Sequence, residues 1–150
     1  MVFDSTGTDR KLIVSIYSFG FNYSQALEDP NGHGGYIFDC RQLPNPGRKE
    51  GFRKYSGLDD PVVEYLEKCP EVHRFYKMTL ELVKSHCGNF AARGLEHIMV
   101  SYGCTGGQHR SVYMAERLKH DLTLAGFETD SVHKERFRWD AAFDKPCREA

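Results

Sequence analysis

The residue pattern predicts an α/β domain, with a mainly parallel sheet of about four strands and flanking helices, and three observations lead there. Short apolar runs rich in β-branched and aromatic residues recur at 12–17, 35–39, 97–102 and 127–133. Between them lie stretches whose apolar residues return at three- and four-residue steps, the period of a helix that buries one face. Strand and helix signals alternate along the chain, the order that yields a parallel sheet.

Taken in order, Leu12-Ile-Val-Ser-Ile-Tyr17 predicts a buried strand that ends at the turn Ser18-Phe-Gly-Phe21. Gly35-Tyr-Ile-Phe-Asp39 predicts the second strand. About fifteen residues separate the two, which leaves room for a short helix around 24–27 in a tight parallel crossover. Asp60-Pro61 reads as an N-cap followed by proline in the first turn, and Val62, Val63, Tyr65 and Leu66 form the apolar face behind it. Pro70 starts another helix, whose stripe of Val72, Phe75, Tyr76, Thr79, Leu82 and Val83 is predicted to stop near Gly88. After the strand at 97–102, Val112, Ala115, Leu118 and Leu122 give the last long helical stripe, closed by Gly126. Residues 1–11 are expected to be a flexible N-terminal segment, 12–134 the domain, and 135–150 a flexible tail.

Composition narrows the function classes. Among 150 residues, 40% are hydrophobic and 27% charged, which excludes collagen-like, mucin-like and disordered chains. The formal net charge is -1, so no global field recruits a polyanion, and nucleic-acid binding requires a local basic patch. The 5 cysteines are odd in number and contain no C-x-x-C, which argues against a disulfide framework or a zinc site; no metal and no cofactor are expected. With no apolar run of about 18 residues and a polar start, neither a membrane span nor a signal peptide is expected, and the cytoplasm is the predicted location.

The stretch that carries chemistry is Ser101-Tyr-Gly-Cys-Thr-Gly-Gly-Gln-His-Arg-Ser111, running from a strand through glycines into a helix. Gly103, Gly106 and Gly107 allow positive φ values and inward-facing N–H groups, and the helix start adds unpaired donors and partial positive charge. Arg110 supplies a bidentate fork, Thr105 and Ser111 hydroxyls, and His109 a donor that titrates near neutrality. Together they predict a phosphate cradle; a plain strand-to-helix turn needs the glycines but not so many donors. Arg41 and Asn45, leaving the second strand at the same edge of the sheet, are expected to converge on it, although Asn45 also suits a turn and Asp39 an ion pair with Arg41 or Arg110. A basic cluster at Arg41, Arg48, Lys49, Arg53 and Lys54 is interleaved with Phe52 and Tyr55, and a second at Lys134, Arg136 and Arg138 with Phe137 and Trp139. Such interleaving suits a phosphate backbone with stacked, unpaired bases, or simply a solvated surface.

Four blocks, Ser18-Phe-Gly-Phe21, Phe38-Asp-Cys-Arg-Gln-Leu-Pro-Asn-Pro46, Ser56-Gly-Leu-Asp59 with Pro61-Val-Val-Glu-Tyr-Leu66, and Gly103-Cys-Thr-Gly-Gly-Gln-His-Arg-Ser-Val-Tyr113, resemble in order and spacing the C-terminal domain of the RNase adapter protein family RapZ. The resemblance covers about residues 13–133. It implies a non-catalytic module that binds small regulatory RNA, presents it to an endoribonuclease, senses glucosamine-6-phosphate and assembles as a homo-oligomer. Carried over by motif position, Thr105, Gly106 and Arg110 would hold the phosphate, with His109, Ser111 and Asn45 nearby. The family's usual N-terminal nucleotide-binding motif G-x-x-x-x-G-K-[ST] is absent from this sequence. Gly47 stands where the family has histidine, and the tail mixes basic residues with Glu135, Asp140, Asp144 and Glu149, which implies weaker RNA binding.

Two other readings stay open at this level. Cys104 and Arg110 satisfy the C-x5-R-[ST] pattern of cysteine-dependent phosphatases, in which a thiolate at a helix N-terminus attacks a loop-held phosphorus. The chain could also serve as a sensing appendage of an amino-sugar kinase.

Overall fold

The structure is a computed structural model that describes the backbone of residues 2–3, 9–24 and 28–142 and the side chains of 11–24 and 28–139. Val2–Phe3 (β1) pairs antiparallel with Asp9–Arg10 (β2). The main sheet follows: Ile13–Gly20 (β3), Gly35–Asp39 (β4), His97–Cys104 (β5) and Glu128–His133 (β6). Helices Asp60–Glu67 (α1) and Pro70–Ala92 (α2) join β4 to β5, Arg110–Leu124 (α3) joins β5 to β6, and Arg136–Ala142 (α4) follows β6. The short helix expected around 24–27 falls on residues outside those described.

All neighbours in the four-stranded sheet are parallel, in the order β4-β5-β3-β6. The α/β class predicted from the sequence is therefore the observed one. Its pairing is less direct than the chain order suggests, because β5 inserts between β3 and β4. Central strands β3 and β5 consequently send their outgoing connections in opposite directions, β3 toward the β4 edge and β5 toward the β6 edge. Their carboxyl ends form the crevice in which ligands bind in open α/β sheets.

Burial explains which strands are central. From Ile98 to Cys104 every residue of β5 is buried, whereas β4 and β6 alternate between exposed and half-buried positions, as edge strands do. Glu128 and Asp130 are exposed on β6 and charge that edge, which discourages pairing with another strand. Val14 and Ile16 lie beside Ile98 and Val100 in register, and this face packs with Val72, Tyr76 and Val83 of α2 and with Ala115, Leu118 and Leu122 of α3 in one core. Each fully buried aliphatic side chain here contributes roughly 1.5–3 kcal/mol. Polar groups inside are satisfied in chains. The Tyr102 hydroxyl donates to Thr79 Oγ1 at 2.8 Å while Thr79 donates to the Tyr76 carbonyl. Ser18 Oγ meets His133 Nδ1 at 2.6 Å, and His133 Nε2 donates to Glu116 at 2.7 Å, tying the end of β3 to α3.

Several element ends differ from expectation: β3 runs on through Ser18 to Gly20, where a turn is expected, and β5 runs to Cys104. The second helix runs through Gly88 to Ala92 and turns only at Gly94, whose φ is 74°. Gly88 sits on an exposed face, so its cost of about 1 kcal/mol relative to alanine is outweighed by the buried stripe. Within the segment expected to be a tail, Glu135 is 2% exposed and Trp139 is buried. Their buried backbone partners, the Gly20 amide and the Gly107 carbonyl, lie 115 and 32 residues away in sequence, so no local pattern reveals them. No helix of the described residues is long and apolar enough to cross a membrane.

Candidate anion site at the carboxyl edge of the sheet

The loop joining β5 to α3, Thr105 to His109, sits in the crevice between the central strands. Gly20 at the end of β3 and Gly107 in this loop touch backbone to backbone: a Cβ added to Gly107 would lie 2.6 Å from the Gly20 nitrogen, and one added to Gly20 would lie 2.6 Å from the Gly106 carbonyl carbon. Gly107 alone of the three loop glycines has a positive φ, 71°. Gly103 belongs to β5, and at Gly106 a Cβ would meet nothing within 4 Å, so that position faces open space. The N–H groups of Gly106 and Gly107, and those of Arg110, Ser111 and Val112 in the first turn of α3, donate to no protein acceptor among the described residues. A turn of donors at a helix start is what an anion requires.

Arg110 stands at the head of α3 and is 2% exposed. One terminal nitrogen donates to the carbonyls of Arg41 and Leu43, each at 3.0 Å, and the other reaches Thr105 Oγ1 at 3.4 Å. Its Nε is buried without a partner, and no carboxylate forms an ion pair with it among the described residues. Beside it opens a cavity of about 460 Å³ lined by the 41–45 segment, Arg48, Glu71 and Arg110.

The sequence-predicted residues divide sharply. Arg110, Arg41, Asn45 and Arg48 meet at this cavity. The Arg41 guanidinium, however, grips Asp39 through Nε and a terminal nitrogen at 3.0 and 2.7 Å and stacks 4.0 Å over Phe21. Those hydrogen bonds hold the Asp39 carboxyl below its usual range. Asn45 Oδ1 accepts from the Gly47 amide at 2.9 Å, so it shapes the turn at Pro46–Arg48 while bordering the cavity.

Ser111 departs from expectation: its hydroxyl is fully buried against Cys104 Sγ at 3.1 Å, because its place on α3 faces the core. His109 departs as well. Its Nε2 donates to the Phe52 carbonyl at 3.2 Å, and burial lowers its pKa from the ordinary histidine value, so it braces the 46–57 loop. Cys104 is 3% exposed and belongs to the core cluster.

The two basic clusters follow β4 and β6, the opposite edges of the sheet, and so flank the loop at its carboxyl end. Each pairs cations with rings: Lys49 lies over Phe52 and Tyr65, Lys54 over Tyr55, Arg136 over Trp139, and Arg138 over Tyr23 and Phe137. Phe137 is 72% exposed; Arg53 and Lys134 are exposed too.

Three residues outside the motif reading shape the site. Gln108 Nε2 donates to the carbonyls of Arg53 and Tyr55 at 2.7 and 2.9 Å, pinning the basic loop to the glycine loop. Glu135 accepts from the Gly20 amide at 3.0 Å and Ser24 Oγ at 2.7 Å. Trp139 Nε1 donates to the Gly107 carbonyl at 3.1 Å. An acid and an aromatic just after a strand were the visible signals, but their partners become apparent only when the chain is folded.

A family model described as the RapZ C-terminal domain matches residues 12–136. Among curated proteins, the chain is 38% identical over 133 residues to a nucleotide-binding protein of Acinetobacter baumannii, an alignment covering 89% of this chain and 45% of that protein. It is 36% identical over 133 residues to a nucleotide-binding protein of Acinetobacter baylyi, with 89% and 45% covered. A nucleotide-binding protein of Shewanella sp. strain ANA-3 is 33% identical over 127 residues, with 85% and 43% covered. The chain thus spans less than half the length of these relatives. By this match the chain belongs to the RapZ C-terminal domain family.

Proposed function

We propose that this chain is a sensing and RNA-binding module without catalysis of its own, taking an amino-sugar phosphate of the glucosamine-6-phosphate type at Arg110 and the loop Thr105, Gly106 and Gly107. The carrying observation is the buried Arg110 guanidinium, which is hydrogen-bonded only to neutral oxygens and has an unpartnered Nε beside the cavity. A buried charge without a counter-ion is costly, and a phosphate would supply that charge while meeting the free amides of the α3 start. RNA lies along the two clusters, Arg48, Lys49, Arg53 and Lys54 on one side and Lys134, Arg136 and Arg138 on the other. Their rings offer stacking surfaces for unpaired bases, with Phe137 the most exposed. The cellular role, by family resemblance, is a cytoplasmic homo-oligomer that presents small regulatory RNA to an endoribonuclease.

Thermal unfolding with glucosamine-6-phosphate tests the first half. A saturable rise in midpoint that disappears in Arg110→Met supports it; no rise in the unaltered protein rejects it. For RNA, affinity across a salt series should fall linearly on logarithmic axes, and replacing Lys49, Arg53 and Lys54 by alanine should reduce the slope by about 2. Salt-independent binding rejects the electrostatic interface.

A second reading rests on one contact, the Ser111 hydroxyl at 3.1 Å from Cys104 Sγ, six residues before Arg110, the arrangement a thiolate nucleophile uses. Burial of Cys104 in the core and its absence from the cavity wall favour the sensor. Turnover of an aryl phosphate that is lost in Cys104→Ser would reverse that ranking.

A further inference from the structure

The two edges of the sheet are built differently. On β6, Glu128 and Asp130 put carboxylates on the rim. β4 carries no charged side chain before Asp39, and Arg41 already neutralises that one. Charge, proline or a bulge deters an edge strand from pairing, and the regular, uncharged centre of β4 has none of them. The Met99 amide donates to the Gly34 carbonyl at 3.2 Å and the Cys40 amide to the Gly103 carbonyl at 2.7 Å, so the even-numbered residues of this strand bond to β5. Gly35, Ile37 and Asp39 therefore turn their N–H and C=O groups to the free edge, where nothing among the described residues meets them. An apolar shelf runs alongside. Tyr36 and Phe38 stack at 5.2 Å on the helix-covered face, and His86 of α2 packs edge-on against Tyr36. Leu82 and Met78 continue that stripe of α2 one and two turns away, 50% and 59% exposed, while Ile37 on the opposite face is 42% exposed.

Resting on the homo-oligomer reading above, we propose that the free edge of β4 is the contact between two copies of this chain, paired antiparallel about a two-fold axis at Ile37 so that one sheet runs through both. An extended strand of another protein could fill the same hydrogen bonds, but the charge pattern favours an identical one. A two-fold axis sets every group near its own copy, which the carboxylates of β6 would oppose and the uncharged centre of β4 tolerates. With Ile37 facing its counterpart, Gly35 meets Asp39 of the second copy, and every outward N–H and C=O of the strand finds a partner. Tyr36 then lies beside Phe38 of the second copy, which extends the aromatic row, and the two exposed Ile37 side chains cover each other. Because the Asp39 side chain grips Arg41 on the cavity wall, the pairing also braces that wall from behind. The two cavities open at opposite ends of the joined sheet.

Sedimentation velocity of the intact chain over a concentration series, with circular dichroism of every variant, supplies the test. The unaltered protein should associate at least to a dimer. Ile37→Lys sets two ammonium groups against each other at the axis and should weaken association at least about tenfold, with the fold unchanged because Ile37 is outside the core cluster. Val132→Lys, at an apolar position on β6 that is 49% exposed, should leave association as it is. In Ile37→Cys, a short bis-maleimide should crosslink two chains through the introduced thiols, a readout that decides the matter alone if Ile37→Lys fails to fold. A dimer that persists in folded Ile37→Lys, equal weakening by Val132→Lys, or no crosslink through the introduced thiols overturns the β4 contact and leaves the homo-oligomer reading standing. A monomer at every concentration removes both.

Discussion

Two buried charges lie on either side of the glycine loop, and they are treated differently. Glu135 is surrounded by donors: the Gly20 amide, the Ser24 hydroxyl and, at 3.4 Å, the Arg138 guanidinium. Arg110 is surrounded by neutral oxygens and keeps an unpartnered Nε. A buried charge whose hydrogen bonds and counter-ion are all internal acts as a clamp; one whose counter-charge is missing acts as a receptor. On the proposed reading, Glu135 holds Gly20 and the glycine loop in place while Arg110 takes the anion.

The comparison is broken most strongly at the clamp. Glu135→Ala leaves the Gly20 amide buried without an acceptor and should destabilise the protein by about 3 kcal/mol in denaturant unfolding. Arg110→Met is expected to change the stability of the free protein by less than about 1 kcal/mol, because an uncompensated buried charge leaves together with its hydrogen bonds. It should nevertheless abolish ligand-induced stabilisation, which for the unaltered protein reaches about 2.7 kcal/mol at a ligand concentration 100 times Kd. A loss of stability in Arg110→Met as large as that in Glu135→Ala would make both residues clamps. Trp139→Phe removes only the bond to the Gly107 carbonyl and should cost about 1 kcal/mol.

The smallest effects sharpen the picture at its rim. Because burial lowers the pKa of His109, the unfolded chain takes up a proton there that the native state does not. Its contribution to stability is full above the unfolded pKa near 6.5 and is lost progressively as pH falls below that value. Comparing unfolding at pH 7.5 and 5.5, His109→Gln should show a shallower loss, with the similarly shifted His86 still contributing the remainder. Asp39→Asn breaks an exposed ion pair and should change stability by no more than about 1 kcal/mol. A larger effect would mean that Arg41, released from Asp39, disturbs the cavity wall.

Sequence by itself determined the class of the fold, the four strands of the sheet and the loop that opens α3. Apolar periodicity, proline at helix starts and glycine at turns are local signals, and they act within a few residues. It also brought Arg41, Asn45 and Arg110 into one hypothesis before they were seen on one cavity, which Arg48, assigned from sequence to the basic cluster, lines as well. The tertiary structure alone decided that β5 lies between β3 and β4, that Ser111 faces Cys104 and that His109 braces a loop. It also decided that Glu135 and Trp139 close over Gly20 and Gly107. Each of these depends on which face of an element meets a partner distant in the chain. A side chain's hydrogen bond is set by that meeting, and residue type and spacing do not encode it.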